Sequence, residues 1–265
     1  MRLVLRQRLE ASERVVERSL RVFGPSGMAL AWTGGKDSTV MVWLYRQVCA
    51  RLGLSVPCCV FIDEGDVFEE IWAFLERLKA LWGLQVEVVR NDDVLGKVRA
   101  VGDRVRVAEL SELNRRELQA LSCGEEFFVF EPDSVAGNHL LKTVPLKEFI
   151  RRRGLKALAT AIRWDEQPAR AEERYFSPRQ QPQHMRVQPL LHFTERDIWS
   201  IIHTFGIPYC SLYEQGYRSL GPRSSTKRFS ELPAWLQDLT QSPERQGRGQ
   251  DKEAAMQRLR SLGYM

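Results

Sequence analysis

The chain has 265 residues, 43% of them hydrophobic and 28% charged, the balance of an ordinary folded protein and unlike that of a fibre or a disordered chain. At roughly 150 residues per domain, this is one large domain with extensions or two small ones. Lys and Arg outnumber Asp and Glu by 39 to 34, a net charge of +5, which suits a small anionic ligand and falls short of a nucleic-acid-binding stripe.

An amphipathic helix is expected over Met1 to Phe23, where Arg2, Arg6, Arg8, Glu10, Arg14 and Arg18 interrupt the apolar residues. That charge excludes a signal-peptide core and a membrane span, so a cytoplasmic location is expected. Apolar runs at Met28 to Trp32, Pro57 to Ile62 and Leu84 to Val89 alternate with helical-period segments at Asp37 to Leu52 and Val67 to Trp82. Such alternation argues for a doubly wound, mostly parallel α/β sheet covered on both faces. Residues 91–144 are punctuated by Asn91, Asp92, Asp93, Gly96, Gly102 and Gly124 and are read as an insertion. It holds a short polar helix at Ser111 to Leu121, and Phe127, Phe128 and Phe130 are read as a core edge, a lid or a partner contact, core packing first. A helix near Leu146 to Arg153, strands at Lys156 to Ile162 and Met185 to Leu190, and a helix over Thr194 to Phe205 follow. Thr194 with Asp197 three residues on is a capping signal for the last. Residues 1–221 are expected to form the domain proper, and 222–265, rich in Arg, Ser, Gln and Gly, a wrapping C-terminal extension.

Cys49, Cys58, Cys59, Cys123 and Cys210 form no Cys-x-x-Cys pair, so reduced, mostly buried thiols are expected. His139, His184, His192 and His203 lack the spacing of a zinc site, and no metal held by protein ligands alone is expected.

The richest stretch is Trp32-Thr33-Gly34-Gly35-Lys36-Asp37-Ser38-Thr39, after a strand and opening a helix. Glycines let the backbone approach a phosphate, the first helical N–H groups point at it, and Lys36 with the hydroxyls of Thr33, Ser38 and Thr39 adds donors. It is not a Walker A loop, because Lys36 is followed by Asp37 and Leu30 stands where that motif has glycine.

The order small hydroxyl, Gly, Gly, Lys, Asp, Ser resembles the pyrophosphate-binding PP-loop of ATP pyrophosphatases, the adenine nucleotide alpha-hydrolase-like fold. Further segments resemble the superfamily of phosphoadenylyl-sulfate reductase and the sulfate adenylyltransferase small subunit. Ile62-Asp63-Glu64-Gly65 with Phe68 and Glu69 is similar to its second-strand Asp-Thr-Gly motif. Arg163-Trp164-Asp165-Glu166, with Arg170, Glu173 and Arg174, is similar to the Arg-Arg-Asp-Glu segment of the small subunit. Arg186-Val187-Gln188-Pro189-Leu190 with Thr194 to Trp199, and Glu244-Arg245-Gln246-Gly247-Arg248 near the C-terminus, continue the likeness.

The cluster-bearing reductases carry a Cys pair and a Cys-x-x-Cys; at the matching positions this chain has Gly137, Asn138, Pro222 and Ser225, and no Cys follows Cys210. The resemblance therefore implies no iron–sulfur cluster and no reductase, and instead adenylyl transfer. ATP, with Mg²⁺, is cleaved between its α and β phosphates and AMP passes to an oxyanion, sulfate first. It places Lys36, Asp37, Arg163 and Arg170 in catalysis, and Thr33, Gly34, Gly35, Lys36, Asp37, Ser38, Asp63, Gly65, Asp165 and Arg174 around the nucleotide. Lys142, Arg186, Arg218, Arg245 and Arg248 are placed around the substrate anion, and Asp37 or Asp63 reaches the Mg²⁺ through water. It also implies a GTPase large subunit as partner, or a homo-oligomer; membrane and nucleic-acid partners are not expected. Glu64, Asp66 and Val67 differ from the family's Thr, Trp and Lys, which leaves two alternatives open. One is a related adenylyltransferase for flavin phosphate, a carboxylate or a thiolation substrate. The other is a nucleotide-binding regulatory subunit without turnover.

Overall fold

The computed structural model describes residues 3–121, 126–167, 170–240 and residue 244. In chain order it runs α1 (Leu3–Phe23), β1 (Met28–Ala31), α2 (Lys36–Leu52), β2 (Cys58–Asp63), α3 (Glu69–Trp82), β3 (Val86–Arg90) and the short α4 (Asp92–Leu95). Then come β4 (Arg104–Arg106), α5 (Glu112–Ala120), β5 (Phe127–Val129), α6 (Val135–Asn138), α7 (Val144–Arg153) and β6 (Ala157–Ala159). Finally β7 (Phe176–Gln180), β8 (Gln183–Val187) and α8 (Glu195–Phe205) complete the domain.

Six strands form one sheet in the order β3-β2-β1-β6-β8-β7. All neighbours are parallel except β7, which pairs antiparallel with β8 at the edge. Side-chain alternation along buried strands divides the core between the two faces. Met28 and Leu30 of β1, Cys59 and Phe61 of β2, and Ala157 and Ala159 of β6 face the cluster built with α1, α2, α3 and α8. Their neighbours Ala29, Val60 and Leu158 face Phe149 and Ile150 of α7. The doubly wound α/β architecture expected from strand-helix alternation is what forms.

Helix α1 buries Leu5, Leu9, Ser12, Val16, Ser19 and Leu20, a stripe at three- and four-residue spacing that explains how so charged a segment packs. Its Ser19 hydroxyl lies 2.9 Å from the Tyr45 hydroxyl of α2. Among the described residues, no helix is long and apolar enough to cross a membrane.

Two features escape the strand-helix pattern. Strand β7 contains Pro178 and the charged Arg179, tolerable only because an edge strand leaves one row of backbone groups unpaired. Residues 104–106 and 127–129 form a two-stranded antiparallel sheet, too short to leave a periodic trace. Above it Val94, Val105, Leu118, Phe128, Phe130, Leu140 and Leu141 make a separate apolar cluster. The helix expected near Leu146 to Arg153 begins earlier, because α6, a π-helical turn over His139–Thr143 and α7 follow without a break.

Candidate active site

Strand order reverses between β1 and β6: the chain leaving β1 goes on to β2 on one side, and that leaving β6 goes to the edge strand β7 and back through β8 on the other. In open α/β sheets the crevice at such a point, beyond the carboxyl ends of the strands, is where ligands sit. Here it receives the loop Thr33 to Ser38 from β1 and the segment Thr160 to Glu166 from β6.

The loop is held from beneath. The buried Trp32 donates its indole N–H to Thr39 Oγ1 at 3.1 Å, and Thr33 Oγ1 and Ser38 Oγ meet at 3.0 Å. Gly34 takes φ +74°, and a Cβ there would lie 2.8 Å from Ile71 Cγ2 of α3, so both the conformation and the close packing demand glycine. The N–H of Lys36 donates to the Tyr213 hydroxyl at 2.8 Å. That amide is thereby engaged, while the phenol keeps its own O–H as a donor. Burial raises the Tyr213 pKa and keeps that proton in place.

Lys36 and Arg163 are 1% and 0% exposed, and such cations persist only when paired. Asp37 bridges them, 3.2 Å from Lys36 Nζ and also bonded to Arg163 Nη1. Glu244 bridges them a second time, Oε1 on Lys36 and Oε2 on Arg163. The result is a closed ring of alternating charges, with Asp165 2.9 Å from Arg163 Nε and Glu195 3.9 Å from Lys36. Burial would lower the Lys36 pKa, but Asp37 and Glu244 outweigh it and the ammonium stays charged. Glu244 sits well below the carboxylate range despite its burial, because Arg163 and Lys36 favour its ionised form. Glu195 moves up, through burial and the nearness of Glu244, against the pull of Lys36 and Arg218.

Beside this ring is a cavity of about 300 Å³. Thr33, Gly35, Lys36, Asp37, Ser38, Lys142, Arg170 and Arg186 of the expected site line it, together with Glu64, Thr143, Glu166, Tyr213 and Glu244. Phe61, Ile62, Ile71, Leu146 and Leu220 form its apolar wall.

Other expected residues lie elsewhere. Asp63 accepts the N–H of Gly65 at 2.9 Å and a bond from Arg90 at 3.1 Å. Gly65 has φ +79° and leaves no room for a Cβ against Leu95, 2.5 Å away; these two shape the turn after β2 and do not line the cavity. Asp165 works from behind, accepting from Arg163 and from the Glu195 N–H at 3.0 Å. Arg218 is forked on Glu195 at 2.7 to 3.1 Å, and its carbonyl accepts Lys36 Nζ at 3.3 Å; it buttresses Lys36. Arg174 is exposed. Arg245 and Arg248 lie outside the described residues.

Sequence reasoning assigned no role to Glu244, Glu64, Tyr213 or Thr143. Glu244 stood inside a noticed motif, but its pairing with Lys36 joins residues 208 positions apart, and no local spacing signals that.

Arg186 is oriented by His184, whose Nδ1–H donates to the Pro182 carbonyl at 2.7 Å and whose Nε2 accepts from Arg186 Nε at 3.0 Å. Burial and the Arg186 charge push His184 down to about 4, and burial also lowers His192. Both bind fewer protons folded than unfolded, so their contribution to stability is complete above the unfolded value of 6.5 and is lost as pH falls toward 4. Urea midpoints are expected to decline over that window. His184→Gln, which retains an acceptor for Arg186, should flatten part of the decline; an unchanged slope counts against the assignment.

No group of three or more His, Cys, Asp or Glu among the described residues is arranged to hold a metal ion. An ion such as Mg²⁺, which binds through phosphates, waters and at most one or two carboxylates, does not require such a group.

Comparison with known proteins bears on the family and the fold. Residues 27–228 match the model of the phosphoadenosine phosphosulfate reductase domain. An adenosine 5'-phosphosulfate reductase of Geobacillus thermodenitrificans is 26% identical over 186 residues, 69% of this chain and 75% of that protein. A sulfate adenylyltransferase subunit 2 of Alkalilimnicola ehrlichii is 28% identical over 207 residues, covering 69% of this chain and 56% of that one. Among solved structures, the FMN adenylyltransferase of Candida glabrata in complex with FAD and inorganic pyrophosphate superposes with a TM-score of 0.62 at 19% identity, over 95% of this chain and 76% of that one. At that identity the likeness shows the fold.

Proposed function

The chain belongs to the phosphoadenosine phosphosulfate reductase domain family, and from that premise we propose that it is an adenylyltransferase, which cleaves ATP between the α and β phosphates and transfers AMP to an oxyanion. One observation carries this reading. The cavity at the switch point joins the Lys36 loop to Lys142, Arg170 and Arg186, and no cysteine is among its described lining residues. A reductase of this family needs a thiol to attack sulfur, and the positions that would supply a cluster are Gly137, Asn138, Pro222 and Ser225. The Ser225 hydroxyl is bonded instead to Asp133.

Catalysis here is positioning and charge stabilisation. The oxyanion attacks the α-phosphorus in line, and pyrophosphate leaves toward Lys36 and Arg163, with the Tyr213 O–H as a further donor. Because Glu244 already occupies both cations, the pyrophosphate takes them by displacing that carboxylate. Arg170, held by Glu166, and Arg186, aimed by His184, receive the acceptor. Asp37 fixes the two cations relative to each other. A sulfate or phosphate acceptor is ionised at neutral pH and needs no general base. Sulfate is the acceptor that the likeness to the sulfate adenylyltransferase small subunit supports, with a GTPase subunit to drive the uphill step; flavin phosphate is the alternative acceptor.

Exchange of labelled pyrophosphate into ATP, with Mg²⁺ and with sulfate, molybdate, flavin phosphate or carboxylates in turn, tests the reading. Exchange that depends on one acceptor is expected. Silence with every acceptor, despite measurable ATP binding, would overturn it in favour of a nucleotide-binding regulatory subunit.

A further inference from the structure

Glu64 and Asp66, two positions where the chain departs from the motif it resembles, have both acquired partners. Buried Asp66 accepts the N–H of Ser224 at 2.9 Å, and its carbonyl accepts that of Arg223 at 2.8 Å. It fastens the start of the C-terminal extension to the turn after β2. Glu64 reaches the other way: its Oε2 lies 2.6 Å from Lys142 Nζ, Glu64 is buried, and both side chains line the cavity. Next to Lys142, the Thr143 hydroxyl is buried, lines the same cavity and has no hydrogen-bond partner.

The cation offered to an acceptor at this wall is therefore compensated before any ligand arrives. A bare tetrahedral dianion placed on Lys142 also lies against the Glu64 carboxylate. If it separates the pair, it leaves a buried carboxylate without a counter-ion, which is costly. An acceptor with an N–H or O–H beside its nucleophilic oxyanion meets no such conflict: the oxyanion faces Lys142 and the donor faces Glu64 or Thr143. We propose that Glu64 is an acceptor-selectivity residue, setting this site against inorganic oxyanions and in favour of acceptors that carry a hydrogen-bond donor next to the attacking oxygen. A flavin phosphate, with ribityl hydroxyls near its phosphate, and an amino acid, with an ammonium beside its carboxylate, both have that chemistry.

The inference rests on the adenylyltransferase reading for its acceptor, so binding is measured apart from turnover. Calorimetric titration of molybdate, flavin phosphate and an amino acid is carried out on wild type and Glu64→Gln, each saturated with an ATP analogue whose α–β bridge cannot be cleaved. Wild type is expected to bind one of the two organic acceptors at least about 10-fold more tightly than molybdate. In Glu64→Gln molybdate should tighten and that acceptor weaken, each by about 10-fold, the scale of one hydrogen bond to a charged group. Which organic acceptor responds identifies the source. If Glu64→Gln does not fold, as judged by its melting transition, Glu64→Thr serves in its place. A selectivity ratio that moves less than about 2-fold, wild type that binds molybdate as tightly as both organic acceptors, or no binding of any probe to either protein overturns the proposal. A switched ratio without pyrophosphate exchange overturns the transfer reaction and leaves the role of Glu64 standing.

Discussion

Lys36→Ala is expected to lower the rate of AMP transfer by about 10²- to 10³-fold, the scale for loss of one preorganised charge stabiliser. The size follows from the setting. Lys36 opens α2, is almost wholly buried, and is kept charged by Asp37 and Glu244. Its amide is fixed by Tyr213 and its ammonium by the Arg218 carbonyl, so once the pyrophosphate has displaced Glu244 the ammonium is already in place as negative charge develops on the leaving group. The loss should fall mainly on kcat, because charge on the bridging oxygen rises only as the bond to the α-phosphorus breaks. Single-turnover kinetics with the acceptor that supports exchange would show it. Near-normal turnover in this variant would remove the loop from the chemistry.

Arg163→Met is expected to give the largest stability loss in the molecule. The guanidinium has no exposed surface and sits among the buried Glu244 side chain, the half-buried Asp37 and the exposed Asp165, so its removal leaves Glu244 and Asp37 close together with Lys36 to share. Breaking a buried pair in this way costs about 3–5 kcal/mol, or a melting temperature lower by about 6–20 °C in a chain of this size. The cause is the stranded charge rather than lost packing, so adding Glu244→Gln should recover part of the loss. A double-mutant cycle is expected to show coupling of about 0.5–3 kcal/mol between the two positions. Additive losses would mean that Glu244 does not depend on Arg163. With pyrophosphate present the coupling should shrink, since the ligand takes the place of the Glu244 carboxylate.

The cation at position 36 and the anion at position 244 illustrate how differently residues of one site can be read from sequence. The loop around Lys36 is legible because its chemistry is local: a strand, two glycines and a helix start within eight residues make an anion site. Arg163 is legible in the same way, coming a few residues after the strand β6. Arg218 is basic and sits in a recognisable segment, yet its guanidinium is given to Glu195, and only the three-dimensional arrangement shows that it supports Lys36 from behind. Lys142 was expected to face the substrate anion, and it does line the cavity. Its partner Glu64 comes from a different strand end, which a one-dimensional reading can mark as a departure but cannot connect to it.

Sequence by itself determined the α/β class, the parallel strands at the centre of the sheet, the position of the phosphate-type loop and the absence of cysteine at the cluster positions. These depend on hydrophobic period, on glycine placement and on which atoms a side chain carries, all of which are properties of short segments. The tertiary structure alone decided the edge strand β7, the small sheet of β4 and β5, the charge ring of Lys36, Asp37, Arg163 and Glu244, and the compensation of Lys142 by Glu64. Each of those depends on which distant segments fold against each other, and in a buried site the meaning of a charge is set by its partner.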